Sequence, residues 1–265
     1  MSDRADIESS VHVDVTTRGD LPGAAEYARG KIEDVSRFAH RPLAHAHVKL
    51  TRHGDPELER PVIAQANLDL DGRLVRAQAS GDTARDAIDR LGERLGRQLR
   101  RAADHWQARR DGRTTRVSHE PDAGPAQQPS RLPLPPEERQ IVRRKSFTLA
   151  PCTVDEAAIE MDLLDYDFHL FTEQRTGMAS VLYKSGPSEY RLAQVEPASE
   201  GELAPFELPL TISPHPPPIH TVEQAAERMG LLGLPFMFFI DAAQGRAAVL
   251  YHRYDGHYGL ITPAG

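Results

Sequence analysis

Four arginines, Arg90, Arg94, Arg97 and Arg101, fall at i, i+4, i+7 and i+11. That spacing lines one side of an α-helix over about three turns. Arg85 and Arg100 flank the row, and Arg29, Lys31 and Arg37 on a preceding helical segment extend it. Guanidinium forks match phosphate oxygens in bidentate fashion, so the row suits a polyanion, with binding that weakens steeply as salt rises. The competing reading is a solvated helix face laced with pairs such as Asp86–Arg90. Nine arginines between 90 and 116, against only Glu93, Asp104 and Asp111, favour the polyanion. No base-reading motif accompanies them.

Other reactive side chains carry less. His40, His45 and His47 fall at or in one predicted strand, and His215, His220, His252 and His257 lie near the C-terminus. None has a cysteine or carboxylate at metal-ligand spacing along the chain. They read as surface residues, and no metal or cofactor is expected. Cys152 is the single cysteine. It permits no intramolecular disulfide, fits a reducing compartment and has no nameable partner histidine. Asp162, Asp165 and Asp167 line a loop without a nearby base. Nucleophile-elbow, phosphate-loop and dinucleotide glycine patterns are missing, so the chain does not read as an enzyme.

The arginine row needs a scaffold, and the first hundred residues supply one. Val11, Val13 and Val15 alternate with polar residues as a half-buried strand. Asp20 reads as the cap of a helix with Pro22 in its first turn and a stripe of Ala24, Tyr27, Ala28, Ile32, Val35 and Phe38. Ala44 to Leu50, Val62 to Leu70 and Leu74 to Ser80 alternate as three more strands. Asp71-Gly72 joins the last two as a tight hairpin. Asp82 or Thr83 caps the second helix, about 84–108, whose stripe is Ala84, Ala87, Ile88, Leu91, Leu95, Leu99 and Ala102. The order β-α-β-β-β-α predicts an α+β domain, a four-stranded sheet with both helices on one face and the other face wet.

The C-terminal half contains a repeat. Residues 153–192 overlay 221–260 at a constant offset of 68, with 16 identities in 40 positions. Each copy reads as a β-α-β-β-β unit. The first opens with the strand-like IVRRKSFTLA at 141–150, followed by a helix capped by Thr153. The second opens around Phe206–Ile212 and closes on RYDGHYGLITP, with Asp255-Gly256 as its turn. Units this small are marginal alone, and two copies give each a partner. The aromatic residues Phe168, Phe171, Tyr183, Phe236, Phe239 and Tyr251 read as core or interface, because a base-stacking platform would need interleaved cations.

The expected domains are 1–108, a Pro/Arg-rich linker at 109–138, repeat one at 139–195, a Pro-rich linker at 196–218 and repeat two at 219–265, with an extra strand from 206–212. Net charge is −7 over 265 residues. Residues 1–116 carry 21 Lys+Arg against 19 Asp+Glu (+2), and residues 117–265 carry 11 against 20 (−9). Local clustering, not net charge, is the footprint of a polyanion partner. Without a spanning apolar run or a signal-peptide core at the N-terminus, a cytoplasmic protein with no membrane partner is expected.

On AEYARGKIEDVSRF, RLVRAQASGDTARDAIDRL and RLGRQLRR, the N-terminal part resembles the ribosome hibernation-promoting factors, also called ribosome-associated inhibitor or sigma-54 modulation proteins. The first tail copy resembles the long-form tail domain through IVRRKSFTLAPCTVDEAAIEMDLLDYDFHLF and its later VLY. The second does so through TVEQAAERMGLLGLPFMFF and VLYHRYDGHYGLITP. The resemblance implies a non-enzymatic factor with no small-molecule substrate. Its N-terminal domain would lie in the small-subunit channel used by mRNA and the tRNA anticodon stems, block translation and preserve idle 70S ribosomes. Carried onto this chain, Arg90, Arg94, Arg97, Arg100 and Arg101 would face 16S rRNA phosphates, with Arg29, Lys31 and Arg85 assisting.

The long form has one tail domain, which homodimerises and joins two ribosomes into a 100S particle. Two tail-like copies occur in a subset of actinobacterial factors. Here the first copy lacks the YDGxYGLI ending and the second lacks the basic opening strand. The two copies are therefore expected to pack on each other as an intramolecular pseudo-dimer, through Phe168, Phe171, Val181, Tyr183, Phe236, Phe239, Val249 and Tyr251. That packing would give a monomer acting on single 70S ribosomes. The alternatives are a 100S-forming factor and a protein–protein adaptor without RNA function.

Overall fold

The computed structural model describes residues 11–39, 41–54, 60–110, 134–186 and 189–264, and within them the side chains of all but 104–110 and 136. Expectations for Arg113, Arg116, His40 and most of the first linker lie outside the described residues. The chain forms two compact units, with four α-helices and three sheets among the described residues. No helix there is long and apolar enough to cross a membrane.

The N-terminal unit runs β1 (His12–Arg18), α1 (Ala24–Ser36), β2 (Leu43–Arg52), β3 (Val62–Leu70), β4 (Arg73–Gly81) and α2 (Ala84–Arg110). The sheet order is β1-β2-β3-β4, with β1 parallel to β2 and the other pairs antiparallel. Alternation decides which face is covered. Ala46, Val48, Leu50, Ala64, Ala66, Leu68, Val75 and Ala77 are buried, as are Leu91, Leu95 and Leu99 of α2 and Ala28, Ile32 and Val35 of α1. Asp71 and Gly72 both take the left-handed φ, 53° and 80°, that a tight two-residue hairpin requires.

Two local readings are corrected. Asp20 does not cap α1: Gly23 stands at the N-cap with φ 70° and no side-chain cap bond. The Leu21-Pro22-Gly23 turn delays the helix start, and only a residue free of a Cβ takes that φ without strain. Ala44 is exposed and Leu43 buried, because the β2–β3 register shifts between Leu43 and His45. Thr83 does cap α2: its Oγ1 accepts the Asp86 N–H at 3.1 Å, while the Asp86 carboxylate accepts the Asp82 N–H at 3.3 Å.

The second unit contains β5 (Ile141–Phe147), β6 (Pro151–Cys152), α3 (Val154–Leu163), β7 (Phe168–Glu173), β8 (Ala179–Lys184), β9 (Tyr190–Gln194), β10 (Leu210–Ile212), β11 (Ile219–His220), α4 (Val222–Leu232), β12 (Phe236–Asp241), β13 (Arg246–His252) and β14 (Tyr258–Pro263). Capping boxes start both tail helices, Thr153 with Glu156 and Thr221 with Gln224.

The opening strands, however, are exchanged. The sheets are β10-β9-β8-β7-β6 and β11-β12-β13-β14-β5. The basic strand β5, expected to open repeat one, pairs with β14 of repeat two. Strand β10, expected to open repeat two, pairs with β9 of repeat one. The registers correspond at the offset of 68: Thr211↔Arg191 and Ile212↔Leu192 in one sheet, Arg143↔Gly259 and Arg144↔Leu260 in the other. Periodicity marks a strand but does not say which of two like sheets it joins.

The segment at 196–218 is not a bare linker. Leu203, Ala204 and Leu208 are buried, and Leu203 and Leu208 belong to the core of Val154, Met161, Phe171, Leu182 and Tyr190. The Asp155 carboxylate accepts the N–H groups of Glu207 and Leu208 at 3.0 and 3.1 Å. Arg175 Nη1 donates to the carbonyls of Gly201 and Leu203. Proline-rich composition predicts extension, but the interspersed leucines supply apolar area worth about 25 cal/mol per Å² buried. Asp255-Gly256 likewise belongs to a wider loop, closed by Arg253 N–H to His257 O at 2.8 Å.

Candidate nucleic-acid interface

Helix α2 presents its arginines from a rigid support. Leu91, Leu95 and Leu99 are at most 1% exposed on the sheet side, and the arginine row runs along a neighbouring side of the helix. Arg97, Arg100 and Arg101 are exposed, and Arg90 and Arg94 half-buried. Arg90 Nε donates to Asp86 Oδ1 at 2.8 Å, one turn earlier. The surface pair expected for a solvated face is therefore present, at one end of the row.

The neighbouring cations meet α1 and the residues just after it. Arg85 stacks over the Tyr27 ring at 4.8 Å and Arg100 over Phe38 at 4.9 Å, contacts that hold long side chains out at fixed angles. Phe38 stays 43% exposed under that guanidinium. Lys31 lies along α2 where Gly92 leaves room for its stem, and its Nζ donates to Asp89 Oδ1 at 2.7 Å. Tyr27 Oη donates to the same oxygen at 2.7 Å. The Asp89 hydrogen bond raises the Lys31 pKa, and the bonds from Lys31 and Tyr27 lower that of Asp89. Lys31 is thus a strut between helices, whereas Arg29 is exposed. The side chains of Arg109 and Arg110 lie outside those described.

The tail sheets meet through one apolar layer. Leu170, Val181, Phe238, Ala247 and Val249 form a buried cluster, with Phe168, Tyr183, Phe236 and Ile261 packed against it. The aromatic contacts are reciprocal. Phe168 stacks on its own counterpart Phe236 at 4.7 Å. Phe168 meets Tyr251 at 5.8 Å, and Phe236 meets Tyr183 at 5.4 Å. Contacts of i with j′ and j with i′ define an isologous, two-fold interface.

Phe171 and Phe239 are not part of it. They are buried under their own repeats' helices, in separate cores. Residues 168 and 171 are three apart, and a strand sends residues at odd separation to opposite faces. The layer uses Leu170 and Phe238 instead, which the period-two rule would have singled out.

Cys152 is half-buried, and burial together with the Glu160, Glu156 and Glu173 carboxylates pushes its thiol up to about 12. A thiol held that high is a poor nucleophile. One group is hidden when the chain is read in line: His12, Asp14 and His45 converge across the β1–β2 pair. Its signal is the His-x-Asp and His-x-His alternation on two strands, legible only once the strands are known to be neighbours.

Two family models match the chain. The model for the sigma 54 modulation protein / S30EA ribosomal protein matches residues 9–107. The model for the C terminus of that protein matches twice, at 136–192 and 213–260. The dormancy associated translation inhibitor of Mycobacterium tuberculosis strain H37Rv is 38% identical over 214 residues, 77% of this chain and 72% of that protein. The ribosome hibernation promotion factor of Deinococcus radiodurans is 28% identical over 176 residues, 63% of this chain and 88% of that protein. The one from Picosynechococcus is 24% identical over 176 residues, 64% and 88%.

Proposed function

Because the chain belongs to the sigma 54 modulation / S30EA ribosomal protein family, we propose that it is a hibernation factor that occupies the small-subunit decoding channel, blocks translation and stabilises single idle 70S ribosomes in the cytoplasm. Proteins of this family associate with ribosomes and are not enzymes, and this chain is one of them. The observation that carries the docking site is the arginine side of α2, on which Arg97, Arg100 and Arg101 are exposed. It is held on a packed sheet and extended by Arg85, stacked on Tyr27 of α1, and Arg100, stacked on Phe38 just after it. Such a surface binds by shape and charge, neutralising 16S rRNA phosphates without reading bases.

The reciprocal packing of the two tail sheets supports 70S over 100S. Their apolar layer is already covered within one chain, so pairing between chains would first have to open it. A pelleting assay with 70S ribosomes at two salt concentrations tests the docking site. Arg97→Glu with Arg101→Glu lowers association by at least about tenfold and flattens the salt dependence by about one unit of slope for each phosphate no longer neutralised. Undiminished pelleting of that variant would remove α2 from the interface and favour an adaptor role.

A further inference from the structure

The face of the N-terminal sheet turned away from the helices carries a chemically distinct group. Parallel pairing sets His12 opposite His45 and Asp14 opposite His47, and alternation sends all four side chains to that outer face. The imidazoles of His12 and His45 stack at 5.4 Å with 24° between planes. Their Nε2 atoms flank one carboxylate, His12 at 3.4 Å from Asp14 Oδ1 and His45 at 3.5 Å from Oδ2. One ligand atom from each residue can be chosen so that all three lie within 4.8 Å of one another. His47 is engaged separately, its Nε2 3.3 Å from Thr16 Oγ1.

We propose that His12, Asp14 and His45 bind a divalent transition-metal cation of the zinc class. The distances decide it. Both contacts are longer than a charge-assisted hydrogen bond, so the carboxylate is not consumed by its neighbours. Zinc–ligand bonds of about 2.0–2.1 Å at a tetrahedral angle separate ligand atoms by about 3.4 Å. His12 Nε2 stands 3.4 Å from one Asp14 oxygen and His45 Nε2 3.5 Å from the other, and one ligand atom from each residue lies within 4.8 Å of the rest, so small side-chain rotations bring the three to one ion. Two imidazoles and one carboxylate select zinc, cobalt or nickel over magnesium and calcium, which take oxygen ligands. All three residues are exposed, so water or an oxygen from a partner completes the coordination shell. The ion would clip the edge strand β1 to β2, which sequence alone joins only through α1.

Calorimetric titration of the full-length, tag-free protein with Zn(II) tests this, with Co(II) absorbance as a second readout. One equivalent binds the wild type, and Mg(II) does not compete. Asp14→Asn with His45→Gln lowers affinity by at least about tenfold, whereas His47→Gln changes it by less than about twofold. The residues are exposed, so the variants fold, and unchanged circular dichroism verifies it. Zinc uptake that survives Asp14→Asn with His45→Gln, or a wild type that takes up none, overturns the proposal. Ribosome pelleting is unaffected by these variants, which separates this site from the α2 surface.

Discussion

At an offset of 68 the two tail repeats share nearly everything that makes a fold and differ in what completes each sheet. Thr153 and Thr221 cap their helices, Met161 and Met229 fill the cores, and Gly177 and Gly245 turn at φ 67° and 64°. The differences are concentrated. Repeat two keeps the YDGHYGLI ending, and the exchanged strand that completes its sheet is the basic VRRK strand of repeat one. The two family-like pieces, missing from opposite ends when the copies are read in line, therefore sit side by side. Both sheets are composite and five-stranded. The one closed by the short β10 lacks both family-like pieces and is buttressed by the 203–208 segment.

The shared interface should break symmetrically. Val181 and Val249 are fully buried in the layer between the sheets, so Val181→Asp and Val249→Asp each cost about 3–5 kcal/mol by burying an unpaired charge. Hydrogen exchange should show both sheets losing protection with either variant. Loss confined to the mutated repeat would mean that the repeats fold independently.

The next test uses an asymmetry. Glu173 is fully buried and accepts bonds from the N–H groups of Arg175, Thr176 and Ala204 and from the Thr176 hydroxyl. Its counterpart Asp241 accepts the Ala243 N–H. Glu173→Gln should cost about 2–3 kcal/mol and Asp241→Asn about 1, by urea denaturation. Burial opposes ionisation of Glu173, but these donors outweigh it and hold its pKa below the ordinary value. Its stabilisation is therefore complete above the unfolded carboxylate value of about 4.3 and disappears as pH falls through the lower folded value. Glu173→Gln should flatten that acid limb.

The smallest effect concerns one strand position. A Cβ on Gly259 would collide with the Tyr251 ring, which faces it across β13–β14 and reaches Phe168. Gly259→Ala should cost about 1–2 kcal/mol. Arg191→Ala at the matching, exposed position of repeat one should stay within about 0.5. Equal effects at the two positions would contradict this account of the difference.

Much of this was legible from sequence. The strands of the N-terminal sheet, a cap at Asp82 or Thr83, the cap at Thr153, the arginine side of α2 and the repeat itself all follow from periodicity and short-range chemistry. What was not legible depends on pairing at a distance. Periodicity could not assign β5 to the sheet of repeat two, or bring His12 beside His45. Phe171 and Phe239 lie three residues beyond Phe168 and Phe236 and so on the opposite strand face, which identity between the two copies does not reveal. The packed segment at 203–208 was hidden by its prolines, although Phe206, Leu208 and Leu210 already carried the alternation.

The central claim is that one chain supplies both halves of its tail interface and so leaves ribosomes single. Sucrose-gradient sedimentation of 70S ribosomes with the purified full-length protein tests it most directly. The account predicts the protein in an undiminished 70S peak with translation silenced. A 100S peak that grows with protein concentration would contradict it.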